Sequence, residues 1–217
     1  MIKALIFDFD GTILDTEGAE YQSFREVFAS VGCELPHDWW TSIIGSSGHM
    51  DPYDLLAQMA GRPLDLAGMR AWRQRRFRQL MAAEAIRPGV TAYIAAAAHV
   101  GLALGIASSS PMAWVEGFLV ERELRSHFPV IAAGDHVTHA KPDPALYHLA
   151  CARLGVQPHE AIAIEDSPNG ALAAKRAGLF TVVAPNAITR ILDLSHADLL
   201  LDSLADLPLP ALLQRFS

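Results

Sequence analysis

The stretch IFDFDGT, residues 6–12, is the most informative part of the sequence. An apolar run ends in Asp8 and Asp10, and Gly11 then permits a sharp turn before Thr12. This pattern is typical of a buried strand whose carboxyl end carries two acids that project into one crevice. Two carboxylates this close repel each other unless a cation joins them or one takes a proton, so the pair indicates a metal site or acid/base chemistry. A turn in which aspartate merely caps the chain reversal is the alternative interpretation.

Further strand-like runs follow, with helical spacing between most of them. Strands that are apolar on both faces and alternate with helices indicate a parallel sheet covered on both sides. We therefore predict an α/β fold, a doubly wound, Rossmann-like parallel sheet. The runs are LALGIASS (102–109), PVIAAG (129–134), AIAIED (161–166), LFTVVAP (179–185) and a weaker ADLLLD (197–202).

Residues 16–87 break this rhythm, because they read as several helices and contain no convincing strand. An insertion between the first and second strands of such a sheet lies above the carboxyl ends of the strands, where these folds bind ligands. We predict a core domain made of residues 1–15 and 88–217, and a helical cap domain made of residues 16–87, the cap. Pro88 and Gly89 mark the return to the core.

A second pair of acids, Glu165 and Asp166, ends the strand AIAIED. In a parallel sheet this end faces the same side as the end of the first strand, so Asp166 can join Asp8 around one cation. Hard oxygen ligands suit Mg²⁺. Alternatively, the two acids simply favour the amino terminus of the next helix.

Serines and a lysine are expected at the same edge of the sheet. The strand LALGIASS ends in Ser108 and Ser109 before a predicted helix, and hydroxyls with free amide N–H groups at a helix start form an anion site. Lys141 lies in the loop HAKPDP, residues 139–144. Plain N-capping by serine and a solvated loop lysine are the alternatives.

Together these segments resemble the signature of the haloacid dehalogenase superfamily, in its phosphatase branch with a small helical cap. DFDGT, ASS, KP and ED match the four family motifs in order, across residues 3 to 185. The β-phosphoglucomutase and phosphoglycolate phosphatase relatives are the most similar subgroup. The resemblance implies the same α/β core, magnesium as cofactor and a phosphate ester as substrate.

The resemblance also implies a role for each motif residue. Asp8 is expected to attack the phosphorus and form an aspartyl phosphate. Asp10 is expected to protonate the leaving alcohol and then deprotonate the attacking water. Ser108, the Ser109 amide and Lys141 are expected to hold the phosphoryl oxygens.

For the metal, the resemblance implies a set of oxygen ligands. Mg²⁺ is expected on the Asp8 carboxylate, the Asp10 backbone carbonyl and Asp166. Glu165 is expected to support it through its waters.

Substrate choice in this family lies mostly in the cap. Arg70, Arg73 and Arg76 lie at three-residue steps along one edge of a predicted helix, so at least one could reach into the crevice. Arg73 lies near the position where related mutases place a cap lysine. A solvated helix face is the alternative for each arginine.

The loop IGSSGHMD, residues 44–51, is expected to hang over the site. It offers Gly48 and His49 where sugar-phosphate mutases carry arginine. Thr16 is a further candidate substrate residue, and Glu20 replaces the histidine that those mutases use. Both departures favour a phosphatase over a mutase.

The bulk composition is the balance expected of an ordinary soluble globular protein. The 217 residues suffice for a full core, and a formal charge of −7 disfavours a nucleic-acid partner. The start is too soon interrupted by acids to be a signal peptide or membrane span. Cys33 and Cys151 lie far apart, which favours a reducing compartment. We expect a cytoplasmic monomer that acts on a small-molecule phosphate ester, without nucleic acid or membrane.

Hydrolysis of a sugar phosphate or a phosphorylated organic acid is the leading hypothesis. A sugar phosphomutase of the β-phosphoglucomutase type, using the same aspartate, is the runner-up. A true dehalogenase fits less well, because that branch manages without the second aspartate and the metal. A receiver-like signalling module would lack the helical insertion, and its acyl phosphate would persist.

Overall fold

The computed structural model describes residues 1–43 and 50–216. Within these residues a sheet of six parallel strands has the order β3-β2-β1-β4-β5-β6. The prediction of a doubly wound parallel sheet is confirmed. The strands are β1 (Ala4–Phe7), β2 (Ala103–Ala107), β3 (Val130–Ala132), β4 (Ala161–Glu165), β5 (Phe180–Val183) and β6 (Leu199–Leu200).

Helices cover both faces of this sheet and fill the insertion after β1. None of the helices in the described part of the chain is both long and apolar enough to cross a membrane. The α-helices are α1 (Thr16–Ser30), α2 (His37–Ile43), α3 (Pro52–Ala60), α4 (Leu66–Ala83), α5 (Val90–Val100), α6 (Met112–Glu121), α7 (Ala145–Leu154), α8 (Pro168–Ala177) and α9 (Leu209–Arg215).

The alternation of side chains along β1 divides the core into two layers. Leu5 and Phe7 belong to a cluster that contains the apolar faces of α5, α6 and α9. Ala4 and Ile6 face the other way, into a cluster formed with α7 and the alanine-rich α8. All four side chains are fully buried, as expected for a central strand of a parallel sheet.

The strand order reverses at β1, which pairs with β2 on one side and β4 on the other. Open α/β sheets bind ligands in the crevice at such a reversal, outside the carboxyl ends of the strands. The acidic segments after β1 and β4 are therefore direct neighbours.

The described part of the insertion consists of the helices α1 to α4 and contains no strand. Its own hydrophobic cluster includes Phe24 and Phe28 of α1, Trp40 of α2 and Leu56 of α3. The helix starts are capped by aspartates, such as Asp15, whose side chain accepts from the Gly18 amide at 3.1 Å. Propensity and local capping therefore suffice to explain why this segment is helical.

The two segments that connect the cap to the core run side by side. Leu14 and Ile86 form an antiparallel bridge, and the Arg87 amide donates to the Ile13 carbonyl at 2.9 Å. Gly89 follows with φ +89°, and a Cβ there would lie 2.5 Å from the Ala205 amide nitrogen, so only glycine fits. This close approach explains the Pro-Gly signal at the return.

One helix of the cap is also anchored on the core. Phe77 and Met81 of α4 belong to the main core cluster, and the Phe77 ring stacks on Trp114 of α6 at 5.3 Å between centroids. The amino-terminal half of α4 instead packs within the cap. The insertion therefore rests directly over the carboxyl end of the sheet.

Candidate active site

The turn after β1 brings the first acidic motif against the end of β4. Asp8 is 6% exposed, and its amide donates to the Ile164 carbonyl at 2.8 Å. Gly11 has φ +83°, and a Cβ there would lie 2.2 Å from Asp166 Oδ2. Glycine is required both by the backbone conformation and by this close approach.

Three carboxyl groups converge at this point. Asp8, Glu165 and Asp166 each offer an oxygen, and these oxygens all lie within 4.8 Å of one another. The sequence predicted that Asp8 and Asp166 could share one cation, because the strands that precede them end on the same side of a parallel sheet. The structure brings them together.

Lys141 compensates part of this negative charge. Its Nζ donates to Asp8 Oδ1 and to Glu165 Oε1, each at 2.6 Å, and the side chain is 5% exposed. Burial alone would lower the pKa of Lys141, but the two carboxylates outweigh it and hold that pKa above its ordinary value. Tyr147 O–H donates to the same Glu165 oxygen at 2.5 Å. Lys141 is therefore a permanently charged group within the crevice.

The single positive charge of Lys141 does not balance the charges of three buried carboxyl groups. Burial raises the pKa of Asp8 to about 7; Lys141 opposes this shift, while Glu165 and Asp10 add to it. Burial, followed by the Asp8 and Glu165 charges, also raises the pKa of Asp166. A further positive charge would relieve this repulsion.

The donor set fits a hard divalent cation. All three groups offer carboxylate oxygens, which Mg²⁺ prefers. Asp8 Oδ2 is buried and has no hydrogen-bond partner, although buried polar atoms rarely lack one. A cation ligated by this oxygen would supply the missing interaction.

Asp166 is oriented by residues that the sequence reasoning missed. Asn186 Nδ2 donates to Asp166 Oδ2 at 2.9 Å, and Thr189 Oγ1 donates to the same oxygen at 3.4 Å. Both residues follow β5, at the same edge of the sheet as the acids. Their position after a parallel strand was the signal that could have found them.

Asp10 is held by donors from the segment after β2. Trp114 Nε1 donates to Oδ1 at 2.8 Å, while Ser110 Oγ and Ser108 Oγ donate to Oδ2 at 2.6 and 3.2 Å. Ser108 is fully buried and also accepts from the Ser110 amide. The Ser108 hydroxyl therefore contacts Asp10, and the neighbouring Ser109 and Ser110 line the crevice.

A cavity of about 400 Å³ opens between the core and the cap. From the core it is lined by Asp8, Asp10, Ser109, Ser110, Trp114, Ala140, Lys141, Asp166, Ser167, Asn169 and Gly170. From the cap it is lined by Thr16, Glu17, Glu20, Trp40 and Ile43. Glu165 lies beneath it and is fully buried. All four predicted core motifs thus reach the same cavity or its floor.

The cap arginines lie elsewhere. Arg73 donates to Glu20 Oε2 at 2.6 Å and to Ser23 Oγ at 3.2 Å, and its guanidinium lies 4.0 Å from the centre of the Phe24 ring. Arg73 is not among the described residues that line the cavity, whereas its partner Glu20 is. Thr16, a candidate substrate residue, lines the cavity, and His49 lies outside the described residues.

The other two arginines of that helical edge are paired in the same way. Arg70 donates to Asp51 at 2.8 Å, and Arg76 donates to both oxygens of Glu26 at 2.7 and 3.0 Å. Each pair joins two cap segments, and neither Arg70 nor Arg76 is among the described residues that line the cavity.

The sequence reasoning also missed Glu17, a cap acid that lines the cavity. Burial raises the pKa of Glu17 to about 8, and Asp10 and Glu20 are the next contributors to that shift. Glu17 lies in the first turn of α1, where an acid is ordinarily explained by the helix dipole. An acid at this position of a helix is common, so the sequence offers no reason to place Glu17 in the cavity.

Comparisons with known proteins agree with this geometry. A model of the family described as haloacid dehalogenase-like hydrolase matches residues 5–184. YhcW of Bacillus subtilis (strain 168) is 44% identical over 217 residues, which cover 100% of this chain and 99% of that protein. Validoxylamine A 7'-phosphate phosphatase of Streptomyces hygroscopicus subsp. limoneus is 30% identical and covers 97% of this chain and 98% of its own.

Solved structures show the same architecture. CbbY from Rhodobacter sphaeroides in complex with phosphate has a TM-score of 0.76 and 36% identity, with 95% of this chain and 96% of that chain covered. A mutant of the same protein has been solved in complex with xylulose-(1,5)bisphosphate.

Proposed function

Because this chain belongs to the haloacid dehalogenase-like hydrolase family, we propose that it is a magnesium-dependent phosphatase acting through an aspartyl phosphate on Asp8. It is a hydrolase of phosphate monoesters. Its substrate in this proposal is a small phosphorylated metabolite, either a sugar phosphate or a phosphorylated organic acid. Relatives named for a validoxylamine phosphate and for hexitols support this size class.

We assign the metal site to the Asp8 and Asp166 carboxylates and the Asp10 carbonyl, with Glu165 behind them. The unpartnered Asp8 Oδ2 and the crowding of the acids support this assignment. When bound, Mg²⁺ supplies positive charge that neutralises the phosphoryl oxygens and lowers the pKa of its carboxylate ligands.

Asp8 is the nucleophile in this proposal. Its carboxylate is held at the end of β1 by Lys141, so its orientation in the crevice is fixed before the reaction begins. Attack by an Asp8 oxygen on phosphorus forms the acyl phosphate and releases the alcohol. Lys141 and the serines after β2 stabilise the phosphoryl oxygens, because the lysine charge and the serine donors are already in place before reaction.

Asp10 is the general acid and then the general base. Trp114 and Ser110 fix the orientation of its carboxyl group, which is needed for proton transfer to the leaving oxygen. Asp10 gives a proton to the departing alcohol and takes one from the water that attacks the acyl phosphate. Besides its role on the phosphoryl oxygens, Ser108 also helps to position Asp10 through its hydroxyl contact.

We propose that residues 16–87 act as a cap domain over the core of residues 1–15 and 88–217, and that the enzyme works as a cytoplasmic monomer. The free thiols of Cys33 and Cys151 fit a reducing compartment. In the cap, Thr16 lines the cavity and supports a substrate contact. Arg73 acts there through Glu20, which it holds at 2.6 Å.

The observation that carries the proposal is the buried Asp8 carboxylate with one oxygen on Lys141 and the other without a partner. The test is to incubate Asp10→Asn with p-nitrophenyl phosphate and Mg²⁺; because this ester needs no proton to leave, the variant should be slowed mainly in the second step. After a quench, mass spectrometry should find phosphate on the peptide that contains Asp8. Phosphate release by the wild type with no modified Asp8 would overturn the proposal. Accumulation of an isomeric sugar phosphate instead of free phosphate would favour the mutase.

A further inference from the structure

Arg87, at the return from the cap to the core, is a half-buried cation that is not among the described residues lining the cavity. Its guanidinium donates to three backbone carbonyl oxygens. Nη1 donates to Gly11 and, at 2.8 Å, to Ala184, while Nη2 donates to Pro185 at 2.9 Å. Gly11 belongs to the turn after β1, whereas Ala184 and Pro185 follow β5. One planar group therefore joins two segments that lie far apart in the chain.

On the first segment, Arg87 restricts the backbone beside the Asp10 carbonyl, which we assign to the metal. The Asp10 carbonyl shares a peptide group with the Gly11 N–H, and this N–H donates to the Leu14 carbonyl at 2.7 Å. The Gly11 carbonyl, one peptide further, accepts from Arg87. Because Gly11 has φ +83° and no Cβ to limit its backbone, these hydrogen bonds on either side of it restrict the direction in which the Asp10 oxygen points.

On the second segment, Arg87 restricts the backbone that carries Asn186. The Pro185 carbonyl belongs to the same peptide group as the Asn186 nitrogen, and it accepts from Arg87. The Asn186 side chain donates from Nδ2 to Asp166 Oδ2 at 2.9 Å. Arg87 therefore fixes the peptide from which the side chain that orients Asp166 projects.

The charge of Arg87 is a second way in which it could act on the acids. Burial raises the pKa of Asp166, and the Arg87 charge opposes this shift. A lysine would supply the same charge from a single ammonium, whereas arginine presents several N–H groups in a fixed planar fork. The substitution Arg87→Lys therefore separates the contribution of the fork from that of the charge.

We propose that Arg87 is a positioning residue that holds the Asp10 carbonyl and the Asp166 carboxylate in place for Mg²⁺, through Gly11 and Asn186. This inference rests on the magnesium site of the proposed function. Residues that orient metal ligands without touching the metal commonly change its affinity by about 10- to 100-fold when they are replaced. Arg87 has this kind of position, because its hydrogen bonds reach both segments that supply ligands.

The first experiment titrates the purified chain with MgCl₂ alone, by isothermal titration calorimetry. We expect the Kd of Mg²⁺ to rise about tenfold in Arg87→Lys, because the charge remains but the fork is lost. In phosphate release, the Mg²⁺ concentration that gives half the maximal rate should rise by a similar factor. At saturating Mg²⁺, kcat should stay within about threefold of the wild-type value.

Arg122→Lys is the matched control. Arg122 is also half-buried and donates to a backbone carbonyl, that of Met81, where the cap meets the core. Neither residue is among those described as lining the cavity. This variant should keep the wild-type Kd of Mg²⁺ even where its Tm falls as far as that of Arg87→Lys.

The outcomes separate this inference from the function itself. A wild-type chain that binds Mg²⁺, with an unchanged Kd in Arg87→Lys, would overturn the inference and leave the phosphatase intact. An equal rise of Kd in Arg87→Lys and Arg122→Lys would also overturn it, because general loosening of the fold would then be the cause. A wild-type chain that binds no Mg²⁺ would overturn both the inference and the metal site.

A double-variant cycle tests the route through Asn186. Asn186→Ala removes the donor to Asp166, so we expect it also to raise the Kd of Mg²⁺ about tenfold. The combined effect of Arg87→Lys and Asn186→Ala should fall clearly short of the product of the single effects, because residues in one hydrogen-bond network are not additive. Effects that multiply in full would refute this route.

Discussion

The rim, which is the cluster of Asp8, Lys141, Glu165 and Asp166 at the end of the sheet, and the cap arrange their charges differently. At the rim, three acidic side chains crowd within 4.8 Å around a single lysine, and all are buried. In the cap, each of the three arginines of α4 of which at least one was expected to reach the crevice has its own acid: Arg70 with Asp51, Arg73 with Glu20 and Arg76 with Glu26.

This difference indicates that the cap charges serve mainly to stabilise the fold, whereas the rim charges serve to bind ligands. The cap pairs are locally neutral and join cap segments to one another, so their main expected contribution is to the stability of the cap. The rim is unfavourable without a further positive charge, because its carboxylates repel one another in a buried place. Excess charge of one sign marks the part of the molecule that needs ligands.

The largest expected effect is on the rim nucleophile. Asp8→Asn should lower kcat by about 10⁴-fold or more, since a carboxamide is a poor nucleophile of nearly equal size. Phosphate release under saturating substrate measures it. Asp202→Asn, an exposed acid, is the control and should behave as wild type. Substantial activity in purified Asp8→Asn would remove Asp8 from this role.

The next largest effect is expected from removal of the metal, which should affect the rim and leave the cap unchanged. EDTA should abolish phosphate release, and Mg²⁺ should restore it. Mg²⁺ at about 100 times its Kd should also stabilise the fold by about 2.7 kcal/mol, visible as a rise in Tm. Asp166→Asn should lose most of that rise, whereas Glu26→Gln in the cap should retain it. Activity that persists in EDTA would contradict the metal assignment.

The two regions should also respond to pH with opposite signs. The folded pKa of Asp8, about 7, exceeds the ordinary value of 3.8, so the folded state holds more protons between these values. In EDTA, the free energy of unfolding should therefore fall as pH rises across this range, by on the order of a few kcal/mol.

In the cap, the hydrogen bond from Arg76 lowers the pKa of Glu26 below its ordinary value of 4.5. Its contribution is therefore present above that value and is lost as pH falls through the lower folded pKa. Urea unfolding at several pH values measures both effects. Asp8→Asn should flatten the first trend and Glu26→Gln the second. An unchanged slope in Asp8→Asn would refute the rim argument.

A smaller effect on kcat is expected from loss of the hydrogen bond by which Trp114 orients Asp10. Trp114→Phe keeps a ring against Phe77 but removes the donor to Asp10 Oδ1, so kcat should fall about tenfold with little change in KM. The loss should be greater for an alkyl phosphate than for p-nitrophenyl phosphate, because nitrophenolate needs no proton to leave. Equal losses on both esters would point to a packing defect.

The smallest effects are expected in the cap pairs. Arg73→Ala leaves the Glu20 carboxylate without its partner, so the free energy of unfolding should fall by about 1 to 3 kcal/mol. It should also raise KM for a preferred substrate more than for p-nitrophenyl phosphate, since Glu20 lines the cavity. Arg76→Ala, whose pair is outside the cavity, should cost about 0.5 kcal/mol and leave KM unchanged. Equal KM effects of the two variants would contradict a cavity role for the Arg73 pair.

The sequence was sufficient for the fold and for the rim because both follow from strand ends. Asp8, Lys141 and Asp166 come after β1, β3 and β4, and parallel strands bring these ends to one edge. Asn186 obeys the same rule after β5, but a single amide in a loop gives no pattern to distinguish it. The orientation of Ser108 toward Asp10 depends on side-chain rotamers, which no spacing reports.

The ion pairs and most of the cavity residues of the cap could not be predicted from the sequence, for a different physical reason. The three-residue spacing of Arg73 with its neighbours fixes a helix edge, but the partner of that edge lies on α1, 53 residues away in the chain. The acid Glu17 and the indole of Trp40 are ordinary in a first helical turn and in an apolar cluster. Only the packing of the cap over the sheet gives them a shared cavity.

The antiparallel bridge between Leu14 and Ile86 makes the insertion exchangeable. Bridged residues have Cα atoms about 5 Å apart, a gap that a tight turn can close. A different helical segment could therefore be grafted at this point while the sheet and its acids keep their places. The requirement is that the graft covers the apolar surface now buried by Phe77 and Met81. The same hydrolytic site could therefore be combined with different cap domains, each of which would give a different substrate selectivity.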